Sequence, residues 1–243
     1  MRYWLTPKPD PDFPEKTAQL CRLYGQAQGA AQAGQRTISV DEMTGIQARE
    51  RAAPSLPMRP GLIERQEFEY KRHGTQTLIA AFDVASGKVI GEVGDSRKED
   101  DFARFLDKLI SSAPAEIKWD IILDNLNTHL SESAVRVVAK HLGIEQDSLG
   151  EKGKHGILKS MKSRQQFLTD PSHRITFHFT PIHASWLNQI EIWFSILARK
   201  LIRRGNFTSK DDLKAKITAF IEFFNATMAK PFKWTYAGKP LTV

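Results

Sequence analysis

Carboxylates at three places in this sequence invite a chemical reading. In TISVDEM the residues alternate like a strand, with Ser39, Asp41 and Met43 on one face and Ile38, Val40 and Glu42 on the other. Only one of Asp41 and Glu42 can therefore serve a given site. In WDIILDN, Asp124 closes an apolar run at a strand end, where open α/β sheets carry their functional groups, and a desolvated carboxylate there needs a cation. In NQIEIW, Glu191 falls in the second or third turn of a helix expected over 184–202. It shares a polar stripe with Asn188, Ser195 and Arg199, apart from the apolar stripe Trp186, Ile190, Trp193, Leu197 and Leu201. A helical Glu taken alone is usually a solvated side chain. Three convergent carboxylates with no Cys or His cage are another matter, since they suit hard divalent cations, Mg²⁺ with Mn²⁺ as its substitute, and not zinc. Two such ions roughly 3.5–4 Å apart can stabilise the attacking and leaving oxygens of an in-line phosphodiester displacement.

The charge balance favours the same kind of substrate. The 243 residues carry a net charge of +7, and residues 151–204 hold ten Lys or Arg against three acids, while the rest of the chain is balanced. This segment includes Lys152, Lys154, Arg199, Arg203 and Arg204, and it suits the phosphates of a DNA backbone. A solvated basic loop and helix end explain it equally well. The single cysteine, Cys21, excludes an intrachain disulfide, and no stretch approaches the roughly 20 apolar residues that span a bilayer. The opening MRYWLTPKPDPDF lacks the apolar core of a secretion signal. A soluble cytoplasmic protein is expected, with no membrane partner.

These residues need elements to position them. Periodicity predicts a short helix over 14–24, then a Gly/Ala/Gln-rich linker over 25–35. Strands are expected at 37–43, 75–84 and 88–93, spaced for an antiparallel meander, followed by an amphipathic helix over 98–110 carrying Phe102, Phe105, Leu106 and Leu109. A buried strand at 119–125, a helix near 132–142, a polar basic stretch at 145–174, a strand at 174–180, and helices at 184–202 and 209–228 complete the order. Phe220, Phe223, Phe224 and Trp234 read as core and not as base-stacking platforms. Three strands, helix, strand, helix, strand and helices make an α/β protein whose mixed sheet is covered by helices on both faces.

At this point the residues match a family. SVDEMTGIQARE, ERQEFEYKRHGTQTLIAAFDVASGKV, ILDNLNTH, HFTPIHASWLNQIEIWFSILARKLIRRGNFTS and the closing PFKWTYAGKPL together resemble the DDE catalytic domain of bacterial insertion-sequence transposases of the mariner superfamily, from about residue 2 to 241. The resemblance implies an RNase H-like fold in which three antiparallel strands are followed by parallel strands. It also implies metal-dependent cleavage at transposon ends and joining of the freed 3′-hydroxyls to target DNA. It selects Asp41 over Glu42 and makes Asp41, Asp124 and Glu191 both the catalytic acids and the metal ligands. Asp41 would bridge two ions, with Asp124 on one and Glu191 on the other. The 66 residues between Asp124 and Glu191 exceed the family's common spacing, and the excess falls in the 145–174 insertion.

The flanking residues Asn125, Asn127, His129, His183 and Asn188 are candidates for holding water, phosphate or the metal ligands, beside the basic residues already named, although loop-turn and helix-capping roles explain each of the five at least as well. Arg72 and His73 are weaker candidates for DNA contact, since a polar hairpin end explains them equally. The resemblance further implies double-stranded DNA as partner, a homodimer or larger synaptic assembly, and association with the bacterial nucleoid. Residues 1–36 read as an N-terminal helix and linker and 37–243 as the catalytic domain, without a complete N-terminal helix-turn-helix module, so such a module is expected as a separate or fused partner. The alternatives are an RNase H-fold nuclease that cuts without joining and a non-catalytic DNA-binding relic.

Overall fold

The period-two runs pair into one five-stranded sheet. A computed structural model describes residues 10–65 and 67–236, so the chain's first residues and the end of the PFKWTYAGKPL block lie outside the described residues. The strands are β1 (Gln35–Arg51), β2 (Tyr70–Asp83), β3 (Val89–Gly94), β4 (Lys118–Leu123) and, after a two-residue hairpin of β5 (Gly150–Glu151) and β6 (His155–Gly156), β7 (Ile175–Phe179). In the large sheet the order is β3-β2-β1-β4-β7. β1–β2 and β2–β3 are antiparallel, whereas β1–β4 and β4–β7 are parallel. The sequence order thus folds as expected, a meander followed by parallel strands reached over helical crossovers.

Alternation divides the sheet's side chains between two cores. On one face Ile38, Val40, Ile121, Leu123 and Phe177 pack with α2 (Glu99–Ser111), α3 (Glu132–Leu142) and α4 (Met161–Leu168). On the other, Leu78, Ala80, Phe82 and Ile122 pack with α1 (Phe13–Gln32), α5 (Ile190–Leu197) and α6 (Lys210–Thr227). α3 is bounded by strong local signals: Ser131 accepts from the Ala134 amide at 3.1 Å, and Gly143 closes the helix at φ 72°.

Several sequence expectations change. The predicted linker at 25–35 is mostly helix, because Ala and Gln sustain α1 through Gly25 and Gly29, and Leu20, Tyr24 and Ala27 recur on one face that is buried in the second core. β1 is much longer than 37–43 and continues past Asp41, interrupted by two register shifts. The long helix expected from residue 184 begins only at Ile190. A 3-10 turn over Ser185–Leu187 precedes it and a π-helical stretch over Ala198–Ile202 ends it. Trp186 accordingly leaves the predicted core stripe and is 44% exposed. Phe224 is core and Phe220 and Trp234 pack against it, but Phe223 is 55% exposed. The 145–174 insertion is folded: Leu149, Leu158, Phe167 and Leu168 enter the first core, and Arg164 is buried, donating to the Leu130 and Leu158 carbonyls at 2.7 and 3.0 Å.

The helical reading of 25–32 is testable. A Cβ at Gly25 or Gly29 meets nothing within 4 Å. Gly25→Ala and Gly29→Ala should each raise stability in urea unfolding by about 0.5–1 kcal/mol, the cost of glycine inside a helix. A flexible linker would show no change.

Candidate active site

The parallel pairing of β1 with β4 runs from Gln35↔Lys118 to Ser39↔Ile122 and stops there. Asp41, within β1, and Asp124, the first residue past β4, each stand two residues beyond that last pair. Period-two alternation puts both on the face that receives α5, and α5 brings Glu191 to the same end in its first turn. This corrects the expected second or third turn. Asp41 is buried, while Asp124 and Glu191 are half-buried.

The charge of Asp124 acts on both of the other acids. Burial, then the charge of Asp124, pushes the Asp41 carboxyl up to about 7. Burial and Asp124 also raise Glu191. Among the described residues no Lys or Arg forms an ion pair with Asp41 or Glu191. Carboxylates gathered at a partly dry strand end, two of them without a Lys or Arg partner among the described residues, are the donor chemistry that a hard divalent cation fits. The acids are coupled through Asp124, but no three His, Cys, Asp or Glu side chains among the described residues close into one metal cage.

Asp124 is held by a device that the sequence only hinted at. His129, on a 3-10 turn over Asn127–Leu130, is fully buried between two carboxylates, with Nδ1 2.9 Å from Asp124 Oδ1 and Nε2 3.1 Å from Glu42 Oε1. Burial opposes its protonation, but the two acids outweigh it and raise His129 to about 10, so the imidazolium donates from both nitrogens. Burial likewise works against ionisation of Asp124, and the His129 hydrogen bond and charge hold its carboxyl below the usual range. Glu42 is therefore no spare acid. It lies on the opposite strand face from Asp41, as alternation requires, and neutralises the cation that orients Asp124. The signal in the sequence was His129 five residues after Asp124.

A second set of contacts fixes the start of α5. Asn188 is buried; its Nδ2 donates to the Val40 carbonyl at 2.9 Å, and its own carbonyl accepts from the Glu191 amide at 3.1 Å. One residue thus joins the neighbours of Asp41 and Glu191. Tyr24 of α1 donates to the Leu187 carbonyl at 2.7 Å, bracing the same turn. His183, in a separate turn just before it, has a φ of 61° that is unusual for a side-chain-bearing residue.

The other sequence candidates scatter. Asn125 is exposed and donates to the Thr180 carbonyl at 2.6 Å, closing the ends of β4 and β7 together; Asn127 and His183 are exposed. Lys152 and Lys154 lie exposed in the β5–β6 hairpin, on the segment that packs with α4, and Lys154 pairs with Glu151 at 2.7 Å. Arg199, Arg203 and Arg204 are exposed at the end of the α5 segment. The basic segment is therefore continuous in sequence but divided between the two helical layers. His73 is taken up by Glu50 at 2.6 Å, and Arg72 lies against Tyr70. Asp120, four residues before Asp124, is bound by His178 at 2.8 Å and by Gln35, and takes no part in the site.

A family model described as DDE superfamily endonuclease matches residues 36–214. No curated protein matches the chain by sequence. Among solved structures the chain is similar to the Mos1 mariner paired end complex with Mn, at TM-score 0.53 and 13% identity over 92% of this chain and 59% of that one. It is also similar to a pre-cleavage Mos1 transpososome, at TM-score 0.53 and 10% identity over 96% and 67%. A third match is the Mos1 transposase catalytic domain with Raltegravir and Mn, at TM-score 0.51 and 9% identity over 89% and 85%. This likeness shows a common RNase H-like fold. The chain spans 57% to 59% of the length of the paired-end and strand-transfer transposase chains it matches.

The uncompensated acids should mark the pH dependence of stability. With a folded value of about 7 against an ordinary 3.8, Asp41 binds more protons folded than unfolded across that window, so its contribution to stability falls as pH rises through it. Thermal melts should show Mg²⁺ raising Tm more at pH 8 than at pH 5, and Asp41→Asn should flatten that difference. Equal Mg²⁺ effects at both pH values would contradict the assignment.

Proposed function

The chain belongs to the DDE superfamily endonucleases, and on that footing we propose that it is the catalytic domain of a DNA transposase of the mariner kind. It would hydrolyse phosphodiesters at element ends and transfer the 3′-hydroxyl strands into target DNA, in bacteria at the nucleoid. The observation that carries this reading is the charge of Asp124 acting on both Asp41 and Glu191 at one sheet end, with no Lys or Arg paired to either among the described residues. Residues 37–243 form the catalytic domain on this reading, and 145–174 an insertion folded onto it.

Asp41, Asp124 and Glu191 would hold two Mg²⁺ ions, or Mn²⁺. Bound there, such ions supply electrostatic stabilisation to the attacking and leaving oxygens of the displacement. The protein's own part is positional. His129 donates to Asp124 and keeps that carboxyl ionised and aimed, Glu42 balances the imidazolium, and Asn188 sets the separation of Asp41 from Glu191. Duplex DNA is the substrate, and a homodimer or larger assembly would bring two ends together. The exposed Arg199, Arg203 and Arg204 on one side and Lys152 and Lys154 on the other would meet backbone phosphates.

Asp41→Asn, Asp124→Asn and Glu191→Gln should each lower Mg²⁺-dependent nicking and strand transfer by on the order of 10³-fold or more, with unchanged circular dichroism, because ligands of one metal site act as a unit. Glu42→Gln should slow the reaction without abolishing it. An active Asp41→Asn beside an inactive Glu42→Gln would overturn the assignment on β1. The positioning of Asn188 has its own check: Asn188→Leu should raise the Mg²⁺ concentration at half-maximal nicking, whereas Asn188→Ser, which keeps a donor, should recover part of it. A purely structural Asn188 would leave that concentration unchanged.

A further inference from the structure

The far end of β1 carries a second constellation. Arg49, Arg51, Tyr70, Phe68 and Arg203 line an open cavity of about 120 Å³. Arg49 and Arg72 face each other directly across β1 and β2, and both guanidinium groups lie over the Tyr70 ring at 5.4 Å. Like charges placed opposite each other on neighbouring strands are destabilising. Arg49, Arg72 and Arg203 form no ion pair among the described residues, and the one nearby carboxylate, Glu67, is engaged by the backbone amides of Phe68 and Glu69 at 2.9 and 3.2 Å. An arginine cluster of this kind, walled by aromatic rings and outnumbering the single carboxylate of its lining, fits an external anion.

Its position relative to the acids gives the anion an identity. β1 and the α5 segment run side by side in the same direction, tied at one end by Asn188 to Val40 and at the other by the Phe207 amide to the Arg49 carbonyl at 2.8 Å and the Arg51 amide to Asn206 at 2.7 Å. Both therefore start at an acid, Asp41 or Glu191, and end at an arginine of the cavity. From Glu191 to Arg203, at ~1.5 Å per helical residue, is roughly 18 Å, and from Asp41 to Arg49, at ~3.3 Å per strand residue, roughly 26 Å, which together span about five to eight nucleotide steps at ~3.4 Å. We propose that this cavity is a phosphate clamp, in which Arg49 and Arg203 grip one backbone phosphate of the DNA strand about five to eight nucleotides from the phosphodiester held at the acids. Guanidinium forks match phosphate oxygens bidentately, and stacking on Tyr70 fixes the Arg49 plane for that contact. The proposal rests on the endonuclease reading of the acid site but concerns binding and not chemistry.

The test therefore uses binding without turnover. Fluorescence anisotropy of a labelled 30-base-pair duplex in EDTA is measured over a salt series for the full chain, Arg49→Gln, Arg203→Gln and the double variant, with thermal melts to confirm folding. Each single variant should weaken binding about fivefold to tenfold and lower the salt slope by about one, and the double variant by about two. Ethylation interference on a substrate with a known cleavage position should lose its signal about five to eight nucleotides from that position in the variants alone. Arg203 is exposed, so Arg203→Gln decides the matter should Arg49→Gln fail to fold. Folded variants with the affinity and slope of the parent overturn the clamp and leave the acid site standing; if the same variants lose self-association, the cavity's occupant is protein. A parent chain that binds no DNA removes the endonuclease reading and the clamp together.

Discussion

Parallel pairing between β1 and β4 is the constraint on which the site rests. It aligns two strands from distant parts of the chain so that both pass the end of their ladder just before an acid, and it gives Asp41 and Asp124 the same face. Two carboxylates so placed repel, and burial removes the water that would screen them, which drives Asp41 toward neutrality. The fold tolerates this because the opposition is local and partly answered: the His129 imidazolium stabilises Asp124 from the opposite side of β1, and Glu42 stabilises the imidazolium. The imidazolium also acts on Asp41, and no Lys or Arg pairs with Asp41 or Glu191 among the described residues.

The two cores divide the work of holding that arrangement. The layer of α2, α3 and α4 backs His129, whose ring packs 4.6 Å from Phe102. The opposite layer supplies Glu191 on α5 and steadies it through Asn188 and Tyr24, so the N-terminal helix α1 is a brace for the site and not a tether to it. The late start of α5 has a use in this light: an irregular turn lets Asn188 point inward to Val40 while the first helical turn presents Glu191.

Charge that is concentrated in sequence need not be concentrated in space. Of the ten basic residues between 151 and 204, Arg164 is buried on backbone carbonyls, and Arg174 donates to those of Ile117 and His141. The exposed remainder divides between the insertion on one layer and the end of the α5 segment on the other. Conversely, Arg49 and Arg72 lie far from that segment in the sequence, yet Arg49 shares a cavity with Arg203 and Arg72 sits across the strand from it.

Much of this was legible in the residues themselves. Strand alternation separated Asp41 from Glu42, apolar spacing located α2, α3 and α6, and the order of elements specified a meander joined to parallel strands; these are local patterns, set by which side of a strand or helix each side chain leaves. The family resemblance then chose Asp41, since alternation alone could not say which face of β1 meets β4's acid. Tertiary structure decided what depends on partners distant in the chain. Helix α1 runs through its glycines because a buried face outweighs their entropic cost, α5 starts late because Asn188 is held by Val40, and the insertion folds because the first core accepts its leucines. His129 shows the difference most directly: its place after Asp124 could be read from the sequence, but its charge arises only because folding encloses it between two carboxylates that lie 82 residues apart in the chain.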